Sequence, residues 1–376
     1  MKRIYFDNAA TTPVSSEVLE AMIPFFMENY GNPSSTHAEG RTARAAVEKS
    51  RRNVAKAVFA SPAEIFFTSG GTEANNTAIK CAVRDLGVTR IISSPIEHAC
   101  VRNSVLSLNR YENVAMEYVR LDSFGRADLI HLEELLAVSD KKTLVTLMHS
   151  NNEIGTLNDI YAIAELCHKH NAYFHTDTVQ TIGYFDIDVS KHSIHFLSGS
   201  AHKLHGPKGI GFLYVNKNIH IAPFIDGGGQ ERGLRSGTEN VPGIIGLGAA
   251  VAMAMKEMSI WKEKISSLRI QFKKLLEEAF GDQVSFNGDV DGEVHYKVLS
   301  VNFDTPIASD MLMFKLDLAG VSVSGGSACS SGALKASPVL SALNVPTHLR
   351  TVRFSFSHFN EIYELVYTIN KLKEIL

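Results

Sequence analysis

The chain has 376 residues, of which 45% are apolar and 20% are charged, and its formal net charge is −3. This length is enough for two domains with substantial cores, and the composition is that of an ordinary globular protein rather than a disordered or fibrous one. The small net charge gives no electrostatic reason to expect direct binding to nucleic acid or to an anionic membrane.

The four cysteines show neither the spacing of a metal site nor that of an iron–sulfur cluster, so no metal site is predicted. So few cysteines in a chain of this length indicate free thiols in a reducing compartment, and we expect a cytoplasmic protein. No apolar stretch follows the basic residues at the N-terminus, so no signal peptide is predicted. Residues 241–255 are weakly polar, but Pro242 and three glycines interrupt them. They are also fewer than the ~18–20 residues that span a bilayer, and we interpret them as a buried helix.

The first predicted elements are helices over residues 16–26 and 38–59 and a short strand over residues 64–68. A glycine-rich turn, Ser-Gly-Gly-Thr at residues 69–72, follows this strand and leads into a helical pattern. A turn of this kind can bind a phosphate through backbone N–H groups and the positive end of the helix. Neither a Walker A loop nor a dinucleotide site is predicted, because the turn lacks a closing Lys-Ser/Thr pair and the GxGxxG spacing.

Strands and helices then alternate along the chain, which predicts an α/β domain with a mostly parallel sheet. The predicted strands cover residues 91–94, 143–148, 173–177, 195–197 and 210–215. Polar residues recur just after the carboxyl ends of these strands, the edge at which open α/β sheets bind ligands. They are Thr72, His98, Asn152, Asp177, Gln180 and Lys203.

Lys203 lies at a tight corner between two predicted strands, with small residues before it and a Gly-Pro turn after it. A lysine in such a place can lose part of its hydration, which makes the neutral amine available as a nucleophile. Asp177 would suit the protonated ring nitrogen of a pyridine aldehyde cofactor that is attached to this lysine. Taken alone, however, Lys203 could instead be a solvated loop residue and Asp177 a helix cap or a turn residue.

The pattern changes after residue 255. A charged helix over residues 256–280, strands over 298–303 and 351–356 and a final helix predict a smaller α+β domain. The predicted boundaries are therefore 16–255 for a large α/β domain, and 1–15 with 256–376 for the small domain. Cys329 lies in the small domain, in a run of small polar residues that cannot form a core and favours a loop.

Several motifs occur together and carry a family resemblance. They are Thr-Ser-Gly-Gly-Thr-Glu-Ala-Asn-Asn at 68–76, Glu-His at 97–98, His-Ser-Asn-Asn-Glu-Ile-Gly at 149–155, His-Thr-Asp-Thr-Val-Gln at 175–180, Ser-Ala-His-Lys at 200–203, Arg-Ser-Gly-Thr at 235–238 and Gly-Ser-Ala-Cys-Ser-Ser at 326–331. In their order and near spacing, over essentially the whole chain, they resemble the cysteine desulfurases, in the NifS/IscS branch of the class V aminotransferases. The resemblance implies the pyridoxal-phosphate-dependent fold type I of aspartate aminotransferase, with a mostly parallel, seven-stranded type of sheet in the large domain.

The resemblance also implies how pyridoxal 5′-phosphate is bound. Lys203 would link covalently to the cofactor and move a proton between substrate and cofactor. Asp177 would pair with the ring nitrogen, Gln180 would bond to the ring hydroxyl, and His98 would stack on the ring and act in acid–base catalysis. The phosphate would be bound by Gly71, Thr72, Ser200, His202 and, from the partner subunit of a homodimer, Thr238.

For the substrate, the resemblance implies that Arg353 and Asn152 hold the carboxylate of L-cysteine and that Cys329 is the nucleophile. Asn152 would also contact the cofactor. The implied reaction gives L-alanine and a persulfide on Cys329, whose sulfur passes to an iron–sulfur scaffold protein or to a tRNA-thiolation enzyme.

Other functions are compatible with the same fold. An aminotransferase needs no thiol on a loop, so Cys329 disfavours that alternative, whereas cleavage of selenocysteine remains open as a side activity. A binding protein without chemistry is disfavoured because Lys203, Asp177 and Cys329 are all present. A transient cluster bridged by Cys329 to a partner also remains open.

Overall fold

A computed structural model describes residues 3–138, 140–325 and 337–376. Its strands are β1 (Ile4–Tyr5), β2 (Ile65–Thr68), β3 (Arg90–Ser93), β4 (Ala115–Tyr118), β5 (Thr143–Thr146), β6 (Tyr173–Asp177), β7 (Phe196–Ser200), β8 (Gly211–Val215), β9 (Val284–Asn287), β10 (Val298–Phe303), β11 (Val321–Ser322) and β12 (Arg350–Ser355). Its helices are α1 (Ser16–Met22), α2 (Pro24–Met27), α3 (Ala38–Ala57), α4 (Gly71–Leu86), α5 (Ala99–Glu112), α6 (Leu129–Ala137), α7 (Ile160–Lys169), α8 (Val241–Phe280), α9 (Ser309–Leu318), α10 (Pro338–Ala342) and α11 (Ile362–Ile375).

The largest sheet within the described ranges has seven strands in the order β2-β8-β7-β6-β5-β3-β4. Strand β8 is antiparallel to both of its neighbours, and the other neighbouring pairs are parallel. The predicted α/β class with a mostly parallel sheet is therefore confirmed.

Alternate residues of the central strands enter two different cores, because successive side chains of a strand point to opposite faces. Ile92 and Val145 join one core with residues of α3, α7 and α8. Ile91 and Leu144 join the other core with residues of α4 and α5. Both faces of the sheet are thus covered by helices, as a parallel sheet requires.

The parallel strands bring several chain segments to one edge of the sheet. Strand β6 ends at Asp177, which lies opposite Ser198 of β7. Strand β7 ends at Ser200, and the short 3₁₀ turn Ala201–Lys203 follows it. Asp177 is therefore the last residue of one strand, and Lys203 lies just past the carboxyl end of the adjacent strand.

Residues from both chain ends form two smaller sheets. Strands β12, β10 and β9 are antiparallel neighbours, and β1 pairs with β11 in parallel. Single bridges join Asp7 to Ser355 and Ser324 to Arg353. The segment before α1 is thus connected to the C-terminal part of the chain, while the domain boundaries 16–255 and 1–15 with 256–376 stay a prediction.

Helix α8 is continuous through residues 255 and 256, between the two predicted domains. Its first half is buried against α1 and α3, as interpreted from the sequence. In the described part of the chain, Val241–Gln283, which is α8 with the turn after it, is the one span long and apolar enough by composition to cross a membrane. Half of its most apolar 18-residue window is buried, and core helices of soluble proteins meet the same criterion.

Several elements differ from the sequence prediction. The helix predicted over residues 16–26 is divided into α1 and α2 at Pro24, because proline lacks an N–H group and disrupts the preceding turn. Helices α5 and α6 and strands β4 and β9 were not predicted. Both strands have only four residues, and most of their side chains are partly exposed, so they lack the apolar run of a buried strand.

Candidate active site

A cavity of about 400 Å³ lies at the carboxyl edge of the large sheet. Most of the site residues predicted from the sequence line it, namely Gly71, Thr72, His98, Asn152, Asp177, Gln180, Ser200, His202, Lys203 and Arg353. Thr238 instead lines a separate cavity of about 170 Å³, beside Ser69 and Arg235. Cys329 lies in residues 326–336, outside the described residues.

The side chain of Lys203 is held by the N-terminal segment. Its Nζ donates to the carbonyl oxygens of Ala9 and Ala10, at 2.6 and 2.8 Å. Its own backbone carbonyl accepts a bond from the buried hydroxyl of Tyr184 at 3.0 Å. These contacts with Ala9 and Ala10 could not be predicted from the sequence, because backbone carbonyls carry no side-chain signal.

Asp177 is buried and its two carboxylate oxygens have different partners. Oδ1 accepts a bond from the backbone N–H of Val179 at 2.9 Å, and Oδ2 accepts one from the side-chain amide of Asn75 at 2.7 Å. Such bonds to the charged form hold a carboxylate in one orientation. Asn75, on α4, belongs to the motif at 68–76, but the sequence assigned it no role.

Asn75 is itself held by two side chains from the sheet. Its Oδ1 accepts a bond from the hydroxyl of Ser198 at 2.5 Å and lies 3.1 Å from Nε2 of His175. Burial lowers the pKa of His175 to about 3, so this imidazole is neutral at pH 7. One ring nitrogen therefore donates to Asn75, and Nδ1 accepts from the hydroxyl of Thr146 at 2.8 Å. This chain of bonds fixes the amide that orients Asp177.

The predicted phosphate-binding turn begins α4. Gly70, the residue before the helix, offers no side chain to the first N–H groups of the helix. A Cβ atom at Gly71 would lie 2.5 Å from Cγ2 of Val179, so a larger residue does not fit there. Ser200 lies next to this turn, and burial lowers the pKa of the neighbouring His202 to about 3. The open N-terminus of α4 can therefore bind an anion through N–H groups.

Glu73 connects this turn to the segment that carries Thr238. Its carboxylate accepts a bond from the backbone N–H of Ser69 at 2.9 Å. The same carboxylate accepts bonds from Nε and Nη2 of Arg235, at 2.9 and 3.2 Å. The phosphate turn and the motif at 235–238 are thus held together in the subunit.

Arg353 is almost entirely buried on β12, and its side chain reaches the cavity. Nη1 donates to the backbone carbonyl of Asn152 at 2.8 Å. Nη2 donates to a carboxylate oxygen of Asp7 at 2.9 Å and to the hydroxyl of Ser324 at 2.7 Å. Nε has no partner among the described residues, so these bonds leave donor capacity on the guanidinium for a ligand.

Two buried glutamates also line the cavity, and the sequence assigned no role to either of them. Burial raises the pKa of Glu97 to about 8 and that of Glu153 to about 7. Oε1 of Glu97 accepts a bond from the backbone N–H of Met148, and Oε2 of Glu153 accepts one from the hydroxyl of Ser337. The one sequence feature that could have marked them as site residues is that Glu97 precedes His98 and Glu153 follows Asn152.

A model of the class-V aminotransferase family matches residues 4–367. The chain belongs to this family. It is 42% identical to the cysteine desulfurase IscS of Dictyoglomus turgidum over 382 aligned positions, which include 100% of this chain and 95% of that protein. The family and the cysteine desulfurase branch that were predicted from the sequence are thereby confirmed.

Solved structures of other family members have the same fold. A NifS-like protein that is 37% identical superimposes with a TM-score of 0.91, over 99% of each chain. A structure described as SspA in complex with cysteine is 35% identical and superimposes with a TM-score of 0.81, over 95% of this chain and 100% of the other. These similarities confirm the predicted fold type.

Proposed function

We propose that this chain is a cysteine desulfurase, which removes sulfur from L-cysteine with the help of pyridoxal 5′-phosphate and leaves L-alanine and a persulfide on Cys329. The observation that carries the proposal is the convergence of Lys203, Asp177 and Arg353 on one cavity. Relatives named cysteine desulfurase at about 40% identity over the whole chain, and the SspA structure with bound cysteine, support the substrate class.

The residues of the cavity fit the proposed cofactor. Lys203 would provide the amine for the aldehyde, and Asp177 would face the ring nitrogen. The open N-terminus of α4 at Gly71 and Thr72 would take the phosphate, with Ser200 and His202. Gln180 would accept a bond from the ring hydroxyl, since its Oε1 is buried without a partner in the described ranges while its Nε2 donates to Ala9.

When bound, the cofactor supplies an electron sink for the pair left on the substrate α-carbon when its proton is removed. Lys203 would move this proton, because its amine is held inside the cavity by two carbonyl oxygens. Asp177 would keep the ring nitrogen protonated, since the amide of Asn75 maintains the orientation of its carboxylate. His98 would cover one face of the ring and exchange protons with the substrate.

The guanidinium of Arg353 and the side chain of Asn152 would hold the substrate carboxylate. Arginine suits this task because its planar N–H groups match the geometry of a carboxylate. The Cys329 thiolate would then attack the substrate sulfur. The bond between sulfur and the β-carbon breaks, the electron pair remains on the carbon side, and protonation there gives alanine while Cys329 carries the persulfide.

The described residues next to segment 326–336 support this assignment of Cys329. On one side, Ser324 accepts a bond from Arg353. On the other side, Pro338 and Val339 line the cavity. Before the segment that contains Cys329, the chain thus bonds to a residue that lines the cavity, and after the segment it lines the cavity itself.

The proposal includes a homodimer in which Thr238 contacts the phosphate bound by the partner subunit. Thr238 lines a cavity of its own in this subunit, separate from the one that contains Lys203. Mixing inactive Lys203→Ala subunits with Thr238→Ala subunits tests this arrangement. Exchange should create one intact site per mixed dimer and increase alanine production above that of either variant alone. If the mixture produced no more alanine than the two variants produce separately, this arrangement would be contradicted.

The persulfide would pass to a protein acceptor, either an iron–sulfur scaffold protein or a tRNA-thiolation enzyme, in the reducing cytoplasm. Affinity capture of partners by the protein after reaction with L-cysteine, with Cys329→Ser as the control, distinguishes these two acceptors. To compare cleavage of selenocysteine with that of cysteine, alanine formation is measured with L-selenocysteine and with L-cysteine as the substrate.

The direct test incubates the protein, pyridoxal 5′-phosphate, L-cysteine and a thiol reductant, and measures alanine and sulfide. The wild type should produce both, and Cys329→Ser should produce neither while keeping a visible absorption band that borohydride removes. Unchanged turnover by Cys329→Ser would reject the role of this thiol. If the protein showed no such band, the alternative of a binding protein without chemistry would be favoured instead.

A further inference from the structure

A thiol lines the candidate active-site cavity. Cys100, in the first turn of α5, lines the cavity together with Lys203 and Asp177. Its Sγ lies 3.0 Å from Nδ1 of His98 and 3.2 Å from Nδ2 of Asn75. The thiol therefore joins the proposed acid–base histidine to the residue that orients Asp177.

The surrounding donors determine the direction of these hydrogen bonds. The backbone N–H of Cys100 donates to Nδ1 of His98 at 3.3 Å, so Nδ1 presents its lone pair toward Cys100. The S–H group shares this single lone pair with the backbone N–H, and an imidazole whose Nδ1 accepts hydrogen bonds carries its proton on Nε2. One N–H of the Asn75 amide goes to Asp177, and the other goes to the sulfur of Cys100.

Unpartnered buried groups at the same cavity point independently to a ligand there. Oε1 of Gln180 and Nε of Arg353 belong to side chains that are 6% and 2% exposed, and neither atom has a partner among the described residues. Both residues line the cavity that contains Cys100. Cys100 is partly exposed, whereas Cys81 and Cys167 are fully buried in helices. Cys100 thus lines the ligand cavity at the margin of the core that α4 and α5 form, whereas the other two described thiols lie inside a core.

We propose that Cys100 is a positioning residue, whose thiol ties the His98 imidazole to the Asn75–Asp177 pair and holds the imidazole proton on Nε2. The role of His98 in catalysis rests on the proposed function. The hydrogen-bond assignment rests only on the contacts of Cys100, His98 and Asn75, and is tested separately. A serine at position 100 keeps one donor and one acceptor, whereas an alanine keeps neither.

The test is nitrogen-15 NMR of histidine-labelled full-length holoprotein, in which His98→Gln identifies the signals of His98. The wild type and Cys100→Ser should show an unprotonated Nδ1 and a protonated Nε2. In Cys100→Ala the preference for this tautomer should fall by roughly fivefold, the equivalent of one neutral hydrogen bond. The matched control is Cys167→Ala, which removes a buried thiol of α7. It should leave the His98 signals unchanged.

Two results would overturn the proposal: a proton on Nδ1 of His98 in the wild type, or identical His98 signals in the wild type and Cys100→Ala. The rate of alanine formation provides the functional comparison. It should fall in Cys100→Ala and recover in Cys100→Ser, with the cofactor absorption retained in both. If the protein made no alanine at all, the proposed function would fail, but the NMR result would still decide the role of Cys100.

Discussion

Asn75 of α4 donates its side-chain amide to Asp177 of β6 at a distance of 2.7 Å. This contact joins the helix that begins at the proposed phosphate-binding turn to the strand that ends at the proposed ring-binding carboxylate. Ser198 and His175 hold the other end of the amide. The proposed sites for the phosphate and for the ring nitrogen are therefore joined through one hydrogen-bonded side chain.

Asn75→Ala should weaken cofactor binding by roughly 10- to 100-fold, because a hydrogen bond to a charged group is worth about 1.5–3 kcal/mol. Asn76→Ala is the matched control. The neighbouring Asn76 bonds instead to the carbonyl of Thr72 and the hydroxyl of Ser104. Titration of the cofactor-free proteins with pyridoxal 5′-phosphate measures the effect. Equal affinities of the two variants would show that Asn75 does not support Asp177.

Gly71→Ala should destabilise the protein by about 1–3 kcal/mol, as expected when a methyl group is added to a filled space. The new Cβ would lie 2.5 Å from Cγ2 of Val179, which follows Asp177 in the chain. Gly229→Ala adds the same methyl group where nothing lies within 4 Å, and should be nearly neutral. Urea unfolding of both variants measures the difference. If Gly71→Ala had the same free energy of unfolding as the wild type, the turn would be able to shift and make room for the methyl group.

Arg353→Lys should raise the KM for L-cysteine by roughly 10-fold or more, since lysine keeps the charge but cannot reproduce the planar set of N–H groups. Arg350→Lys is the control on the same strand, because Arg350 bonds to the carbonyls of Ile307 and Thr347 instead. Steady-state kinetics measure KM and kcat for both variants. A KM that is raised equally in both would indicate a general effect on β12.

Glu97 should make the stability of the protein depend on pH. Burial, with a smaller effect from the charge of Asp177, raises the pKa of Glu97 from about 4.5 to about 8. Its stabilising contribution is therefore complete below pH 4.5 and is lost as the pH rises toward 8. Glu97→Gln stays neutral, so its free energy of unfolding should fall less than that of the wild type between pH 5 and pH 8.

Urea unfolding at several pH values checks this prediction about Glu97. Glu20→Gln is the control, because Glu20 lies exposed on α1. Its unfolding free energy should follow that of the wild type at every pH. If Glu97→Gln followed the wild type as well, Glu97 would not be protonated in the folded protein.

The sequence was sufficient to predict the sheet edge, and most of the site residues that it predicted line the cavity there. Asp177 and Lys203 each follow an apolar run that forms a buried strand. Parallel strands bring their carboxyl ends to one edge, so both residues could be placed at that edge without knowledge of the strand order.

The contacts that hold these residues in place could not be predicted. Ala9 and Ala10 bind Lys203 through backbone carbonyls, which any residue type would supply. Cys100 had the same apolar and helical surroundings in the sequence as a core cysteine, and only the approach of α5 to Asn75 places it at the cavity. Such tertiary contacts leave no local pattern.

The most direct measurement of the central claim is peptide mapping by mass spectrometry after a brief anaerobic reaction of the holoprotein with L-cysteine, followed by alkylation. We predict one additional sulfur atom on Cys329, and an equal amount of alanine released. Alanine release without a persulfide on Cys329, or a persulfide on Cys329 that forms equally in Lys203→Ala, would contradict the mechanism.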